Sequence, residues 1–261
     1  MHIPKVPVFP VLKDKVAIIT GGAQGMGKTT ASVFLRAKAK LVIADLKANG
    51  LQTAEELSPL GDVRFVQANI SKAEDVQSLI AQTVKAFGRL DVAINNAAMT
   101  PDKTPLVEFD EDYWRRVLDV NLTGTALCCK YAMQQMQKQG SGGSIVNIAS
   151  INAFMPQPNM PAYTAAKHAL LGLTKHAATE GGPSGIRVNA VAPGAIFSEM
   201  STSALEIMGT THDEFAPKVS SLKRFGQPEE VAQGSLWLAS GSSSYVTGIC
   251  LPVDGGFLSK W

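Results

Sequence analysis

The sequence predicts an α/β fold: a doubly wound parallel sheet of about seven strands, with helices on both faces, in a single domain. Three observations predict it. Short apolar, β-branched runs alternate along the chain with longer segments of helical composition, the pattern of parallel strands joined by right-handed crossovers. The residues best able to do chemistry (glycines, an acid, amides, hydroxyls) stand just after those runs, along the edge where such sheets bind ligands. The 261 residues, 45% of them hydrophobic, allow one large α/β unit or two small ones, and no linker or repeat divides them.

The elements follow in order. Residues 1–13 hold Pro4, Pro7 and Pro10 and are expected as an extended arm, ordered only if something docks it, before a domain spanning 14–261. Lys15 to Thr20 is the first strand. Gly21-Gly22-Ala23-Gln24-Gly25-Met26-Gly27 is a turn and leads into a helix to about Ala37. Glycines let a backbone approach a phosphate, and a helix N-terminus offers free N–H groups and a positive dipole end. Leu41 to Asp45 is the second strand and ends in an acid, where a dinucleotide fold places a carboxylate on ribose hydroxyls. The same stretch supports a second reading: Gly22-x-x-x-x-Gly27-Lys28-Thr29 matches the loop of a nucleotide triphosphatase, with Asp45 as its magnesium-binding acid. A plain tight turn with a surface lysine is the third. These glycines alone leave all three open.

Val63 to Gln67 is the third strand, and Ser71-Lys72-Ala73-Glu74 reads as a capping box opening a helix that closes at Gly88. Leu90 to Ile94 is a strand, followed by Asn95-Asn96-Ala97-Ala98. A long helix is expected from Asp110 through Asn121 toward Lys138. Ser144 to Ala149 is a strand ending at Ser150. The segment Ala162-Tyr163-Thr164-Ala165-Ala166-Lys167 is helical, and its i, i+4 spacing puts phenol and ammonium on one face. A fixed positive charge favours phenolate, so the pair is a candidate acid/base, although core and rim is the commoner role of such a pair. Ile186 to Val191 is a strand ending at Pro193-Gly194. The stretch from Ser198 to Lys223 has no strong period, Pro228 to Ser240 is a helix, and Cys250 to Val253 is the last strand.

Composition narrows the function. A net charge of +2 with no basic block gives no reason to expect nucleic acid or an anionic membrane as partner. No apolar run approaches the roughly 18 residues of a membrane span. Three cysteines, two adjacent at Cys128 and Cys129, form neither a disulfide framework nor a zinc spacing. A reduced, cytoplasmic chain without a metal is expected.

The ordered set Thr20-Gly21-x-x-x-Gly25-x-Gly27, Asn95-Asn96-Ala97-Ala98, Asn121, Ser150, Tyr163-x-x-x-Lys167, Pro193-Gly194-x-Ile196 and Pro252-Val253-Asp254-Gly255-Gly256 resembles the short-chain dehydrogenase/reductase family. It covers nearly the whole chain from Lys13 onward. The resemblance implies a Rossmann-type fold and an oxidoreductase that moves a hydride between NAD(H) and a secondary alcohol or ketone. It decides against the triphosphatase, which explains nothing after Asp45. A non-catalytic dinucleotide-binding regulator is the other alternative, and intact Ser150, Tyr163 and Lys167 weigh against it. The implied roles are Tyr163 as general acid/base, Lys167 lowering its pKa and holding the nicotinamide ribose, Ser150 on the substrate oxygen, and Asn121 holding a water that relays protons. The implied cofactor contacts are Gly21, Gln24, Gly25, Met26, Gly27, Asp45, Leu46, Asn69, Ile70, Asn96, Ala97, Ala98, Tyr163, Lys167, Pro193, Gly194, Ile196 and Ser198. Two departures stand out: Ala98 occupies a position usually glycine, and Asn69 one usually aspartate.

Asp45 would accept from both ribose hydroxyls and repel a 2′-phosphate, and Leu46 follows where a phosphate binder would want a base. NAD is therefore expected over NADP. The substrate pocket is expected from Ser150, Asn152, Ala153, Met160, Tyr163, Ala195 and Met200, beneath a lid at about 199–223 that also carries Leu205, Met208 and Phe215. These apolar walls suit a ketone or alcohol with an apolar body, unless the same side chains pack the lid on itself. The family's habit implies a homo-oligomer, tetramer or dimer, using the long helix from Asp110 and the Tyr163 helix.

Overall fold

Seven parallel strands lie in the order β3-β2-β1-β4-β5-β6-β7. The computed structural model describes residues 8–198, 201–202, 205 and 209–260. The strands are β1 (Val16–Thr20), β2 (Lys40–Asp45), β3 (Val63–Gln67), β4 (Val92–Asn95), β5 (Gly143–Ile148), β6 (Ile186–Pro193) and β7 (Cys250–Val253). Between them run α1 (Gly25–Arg36), α2 (Gly50–Leu57), α3 (Ala73–Phe87), α4 (Glu111–Leu118), α5 (Thr125–Gln139), α6 (Pro161–Gly181), α7 (His212–Val219) and α8 (Pro228–Ala239).

The two faces of the sheet follow from strand alternation. Ala17, Ile19, Val92, Ile94 and Val146 point one way and pack with α1, α2 and α8. Ile18, Ala93 and Ile145 point the other way and pack with α3, α5 and α6. Helices thus cover both faces, as the sequence predicts. Strand order reverses between β1 and β4, so their diverging crossovers leave a crevice beyond the carboxyl ends. Register lines those ends up: Thr20 lies beside Ala44, Asn95 beside Asn147, and Pro193 beside Val253.

Several local expectations change. The box at Ser71–Glu74 does not form. Lys72, extended, is the residue before α3 and has no capping side chain. Ser71 instead donates to Asn69 Oδ1, and the Asp75 carboxylate accepts from Asn69 N. The left-handed Gly88 closes α3 as expected. The long helix from Asp110 is broken into α4 and α5 by a π-helical turn at Asp119–Gly124. Within the arm, Leu12 is only 1% exposed, bonds Ala37 O through its N–H, and belongs to the α1 core cluster. The stretch without a period contains α7, opened by a capping box between Thr211 and Glu214. Among the described residues no helix is long and apolar enough to cross a membrane.

Candidate active site

The glycine turn is shaped by backbone contact. A Cβ on Gly27 would fall 2.0 Å from Gly21 O, and one on Gly21 would fall 2.8 Å from Ala97 Cα. Gly21 and Gly25 take positive φ values of 65° and 54°, which glycine alone adopts without strain. Helix α1 has no capping side chain and no acid in its first turn, so its first N–H groups face the crevice free to bind an anion. Asp45 closes the turn from β2, its carboxylate accepting from Ala23 N and Lys47 N at 3.1 Å each. Leu46 beside it is 63% exposed. A glycine cradle, uncapped helix donors and one acid at the second strand end fit a nicotinamide dinucleotide.

Lys28, the lysine of the triphosphatase reading, pairs with Glu56 on α2. It continues α1 and does not reach over the turn.

The third wall is the β4–α4 loop. Asn96 Nδ2 donates to Thr20 O at 3.0 Å and Gly21 O at 3.1 Å, while Asn96 N and Ala97 N donate to Thr20 Oγ1. Ala98 has an exposed methyl and no positive φ, so alanine replaces the usual glycine without strain. Asn69 keeps its place after β3, but its Oδ1 accepts from Ser71 N and Oγ. Its amide nitrogen is the group left to meet a ligand. Ile70 turns its side chain into a core cluster with Val76 and Cys128, leaving only backbone for a cofactor. Gly194 packs against Asp254, where a Cβ would be 2.7 Å from Asp254 Cα. Ile196 bridges to Gly226. Ser198 Oγ accepts from Ser201 N, and Ser201 Oγ lies 3.2 Å from His212 Nε2.

The residues expected to be catalytic lie beyond the ends of β4 and β5. Lys167 is 3% exposed, and its Nζ donates to Ile148 O at 2.7 Å and stands 5.4 Å from the centre of the Tyr163 ring. Tyr163 is partly buried. Ser150 Oγ accepts from Asn152 N at 3.2 Å, which leaves its own hydrogen to donate. Asn121, 1% exposed, sits inside the π turn. Its Oδ1 accepts from Met99 N at 2.7 Å and its Nδ2 donates weakly to Met99 O at 3.4 Å. One amide hydrogen of Asn121 remains for a water. π turns of this kind are frequent at functional sites. His168 bonds Thr164 O on an exposed side of α6 and takes no part.

The electrostatics differ from the simple expectation. Burial pushes the Tyr163 phenol above its ordinary pKa, and the Ser150 hydroxyl pulls it part of the way back. The pairing with Lys167 predicts a lowered value. Burial sets the opposite direction, and burial likewise pushes Lys167 down to about 8. At neutral pH Lys167 is still mostly ammonium, and Tyr163 is a phenol with a proton to give. Cys129, between Asn95 and Asn147, is a buried thiol pushed up to about 12, inert as expected of core.

Part of the expected pocket does not assemble. Asn152 is buried, with its Nδ2 on Met160 Sδ at 3.6 Å. Ala153 packs with Ala149 and Ala190 in a core cluster of its own. Both lie in a 3-10 turn after Ser150, which rotates them inward. Leu205 packs with Ala216, Phe215 and Val219 of the lid and with Ala195 and Phe225 on either side of it, so the described lid residues pack on one another and on the flanking chain. Met200 and Met208 lie outside the described residues. Met160 is partly exposed, and Phe154, just after the 3-10 turn, is exposed. Sequence reasoning missed two parts of the site. One is the buried chain from Asn95 Nδ2 to Asn147 Oδ1 and from Asn147 Nδ2 to Thr174 Oγ1, at 2.8 and 3.0 Å. The other is Asp102, whose carboxylate holds the first turn of α6. Only the polarity of Asn147 within an apolar strand could have signalled the first.

Comparison with known proteins agrees with this geometry. The family model described as "Enoyl-(Acyl carrier protein) reductase" matches residues 21–258. "Short chain dehydrogenase/reductase astE" of Aspergillus oryzae is 46% identical over 248 residues, 94% of this chain and 95% of that protein. A 2,5-dichloro-2,5-cyclohexadiene-1,4-diol dehydrogenase of Sphingobium indicum is 39% identical over 246 residues, 94% of this chain and 98% of that protein. The crystal structure of a levodione reductase superposes with a TM-score of 0.89 at 33% identity, covering 96% of this chain and all of that one. With the glycine crevice, the Ser150–Tyr163–Lys167 group and these likenesses in hand, the chain belongs to the short-chain dehydrogenase/reductase family, oxidoreductases that move a hydride between a nicotinamide cofactor and an alcohol or carbonyl carbon.

Proposed function

We propose that this enzyme prefers NAD(H) and interconverts a secondary alcohol on an apolar, six-membered ring with its ketone, with Tyr163 as the proton-transfer group. The observation that carries the reading is Tyr163 itself, a phenol with Ser150 and the buried Lys167 as its polar neighbours. Bound nicotinamide supplies the hydride chemistry and, when oxidised, a positive charge. The chain supplies the rest. Tyr163 gives its proton to the carbonyl oxygen in reduction; in oxidation it first passes that proton to the water path beside Lys167 and then takes one from the hydroxyl. Ser150 donates to that oxygen and fixes it. Lys167, tethered to Ile148 O, holds its charge beside the phenol and offers its other hydrogens to the ribose. The remaining Asn121 amide hydrogen holds a water on the path by which Lys167 is reprotonated.

Support for the ring comes from the relative named for a cyclohexadiene diol and from the apolar, solvent-reaching side chains of Phe154 and Met160 on the segment after Ser150. Support for NAD is Asp45 with an exposed apolar Leu46 and no Arg beside it. The family's habit supports a homo-oligomer, dimer or tetramer, and light scattering of the purified chain reads the assembly directly.

A panel of cyclohexanol, cyclohexane-1,4-diol, linear secondary alcohols and the matching ketones, scored by NADH absorbance, tests the reading. Tyr163→Phe should lose roughly 10²–10⁴-fold in rate. Turnover by that variant at near-parent rate removes Tyr163 from its role.

A further inference from the structure

Helix α6, which carries Tyr163, begins without a cap of its own. Met160 precedes it with φ −130° and ψ 50° and no side-chain cap bond, and Pro161 takes the first turn. The first N–H groups of a helix lack partners inside it, and a polar side chain just before the helix ordinarily takes them. Here the partner comes from the β4–α4 loop, 60 residues earlier. Asp102 Oδ2 accepts from Ala162 N at 2.9 Å and Oδ1 from Tyr163 N at 3.1 Å. The residue is 7% exposed, so water does not compete well for the same bonds.

The loop holding Asp102 is pinned at two other points of the site. Asn96 is tied to Thr20 and Gly21, and Met99 N to Asn121 Oδ1. Residues 96–102 therefore join the glycine turn, the π turn and the first turn of α6 in one short span. A carboxylate with both oxygens on successive N–H groups fixes the angle of that turn, as well as its existence.

We propose that Asp102 is a positioning residue for proton transfer: its carboxylate clamps the backbone of Tyr163 and so sets where the phenol oxygen stands relative to Ser150 and Lys167. This rests on the reading of Tyr163 as the acid/base group. Displacement of a reacting group by about 1 Å can cost about 10²-fold in rate, so the clamp should show in turnover.

The matched control is Asp110, which caps α4 by accepting from Tyr113 N at 2.8 Å and itself bonds neither α6 nor residues 96–102; its one link to that loop runs through the Tyr113 hydroxyl, on Thr100 O at 2.9 Å. Asp102→Ala, Asp102→Asn, Asp110→Ala and Tyr163→Phe are made in the full chain and compared with the parent. The substrate is the ketone of the panel above that the parent reduces fastest with NADH. Asp102→Ala should lower kcat about 10- to 100-fold with KM for NADH within about twofold. Asp102→Asn, which keeps one acceptor, should recover part of that loss. Amide hydrogen exchange in the peptide opening α6 should speed up in both. Asp110→Ala should lower the thermal midpoint and leave kcat at the parent value. Parent-like kcat with unchanged exchange in folded Asp102→Asn overturns the proposal, and that variant decides if Asp102→Ala does not fold. An equal kcat loss in Asp110→Ala overturns it too, because any lost cap would then do. Near-parent turnover by Tyr163→Phe overturns the underlying reading instead, whatever Asp102 does.

Discussion

Beyond β1 to β3, main chain makes the site: Gly21 and Gly27 let two backbone segments touch, helix α1 presents bare N–H groups, and one carboxylate, Asp45, closes the end. Beyond β4 to β6, buried polar side chains make it: Asn95, Asn147, Thr174, Asn121, Lys167 and Asp102 all lie out of water and bond one another or the backbone. The difference suits the tasks. Holding a large anionic cofactor asks for many weak donors on a surface that comes close, which side chains would obstruct. Moving one proton asks for a few groups held to a fraction of an ångström, which only buried, bonded side chains achieve.

That contrast can be broken from either side. The largest effect is expected at Gly27→Ala. Its methyl has to displace a backbone oxygen, so the change should cost about 3 kcal/mol or more of stability and abolish NADH binding. Tight NADH binding by the variant, seen in fluorescence titration, would show that the turn yields and that close approach is not what the glycine provides. Next is Asp45→Ala with Leu46→Arg. It removes charge-assisted bonds to ribose and adds a base at an exposed position, and should swing the NADPH/NADH ratio of kcat/KM by about 10²-fold. A parent enzyme already favouring NADPH would refute the reading of Asp45.

On the other half, Asn147→Leu leaves Asn95 Nδ2 and Thr174 Oγ1 short of a partner. It should cost about 1–3 kcal/mol in urea unfolding while leaving KM for NADH alone. The smallest effect is a slope in pH. Lys167 is pushed down to about 8 by burial, against an ordinary value of 10.5. Between those values the unfolded chain holds a proton that the folded chain has released, so folding improves as pH rises through that window. Below about 8 the full penalty of burying the charge is present. Stability of the parent relative to Lys167→Met should therefore rise by about 1 kcal/mol per pH unit between pH 8.5 and 9.5. Subtracting the variant cancels the opposing contribution of the buried thiols, whose raised pKa values lower stability in the same range. A flat difference would mean the amine is better hydrated than its burial indicates.

The same division governs what is legible in the sequence alone. The glycine turn, Asp45, the seven strands and the Tyr163–Lys167 pair are local patterns, written in residues next to one another or one helical turn apart. Asp102 carries no local sign: Pro101-Asp102-Lys103 looks like any loop, and its partners lie 60 and 61 positions later. The pKa of Tyr163 escapes a pairwise picture of phenol and ammonium, which has no account of burial. Asn152 and Ala153 follow Ser150 in sequence, but a 3-10 turn sends them inward. The shifted start of α3 comes from competition between Ser71 and Asp75 for Asn69, which a capping pattern does not weigh.

The π turn at Asp119–Gly124 has a consequence for what the chain can tolerate. Each residue of a helix advances it by about 100°, and the wide turn carries one residue more than a regular helix would use there. Helix α5 follows without interruption, and Cys129, Ala132, Met133 and Met136 face the sheet from it. Winding all six residues of 119–124 as regular helix would roll α5 by about a quarter turn and bring Lys130 and Gln137 toward that apolar stripe, whereas deleting one of them would regularise the ladder and leave the stripe facing the sheet. The wide shape of this short stretch is thus held by packing some two turns downstream, independently of whichever side chain occupies position 121.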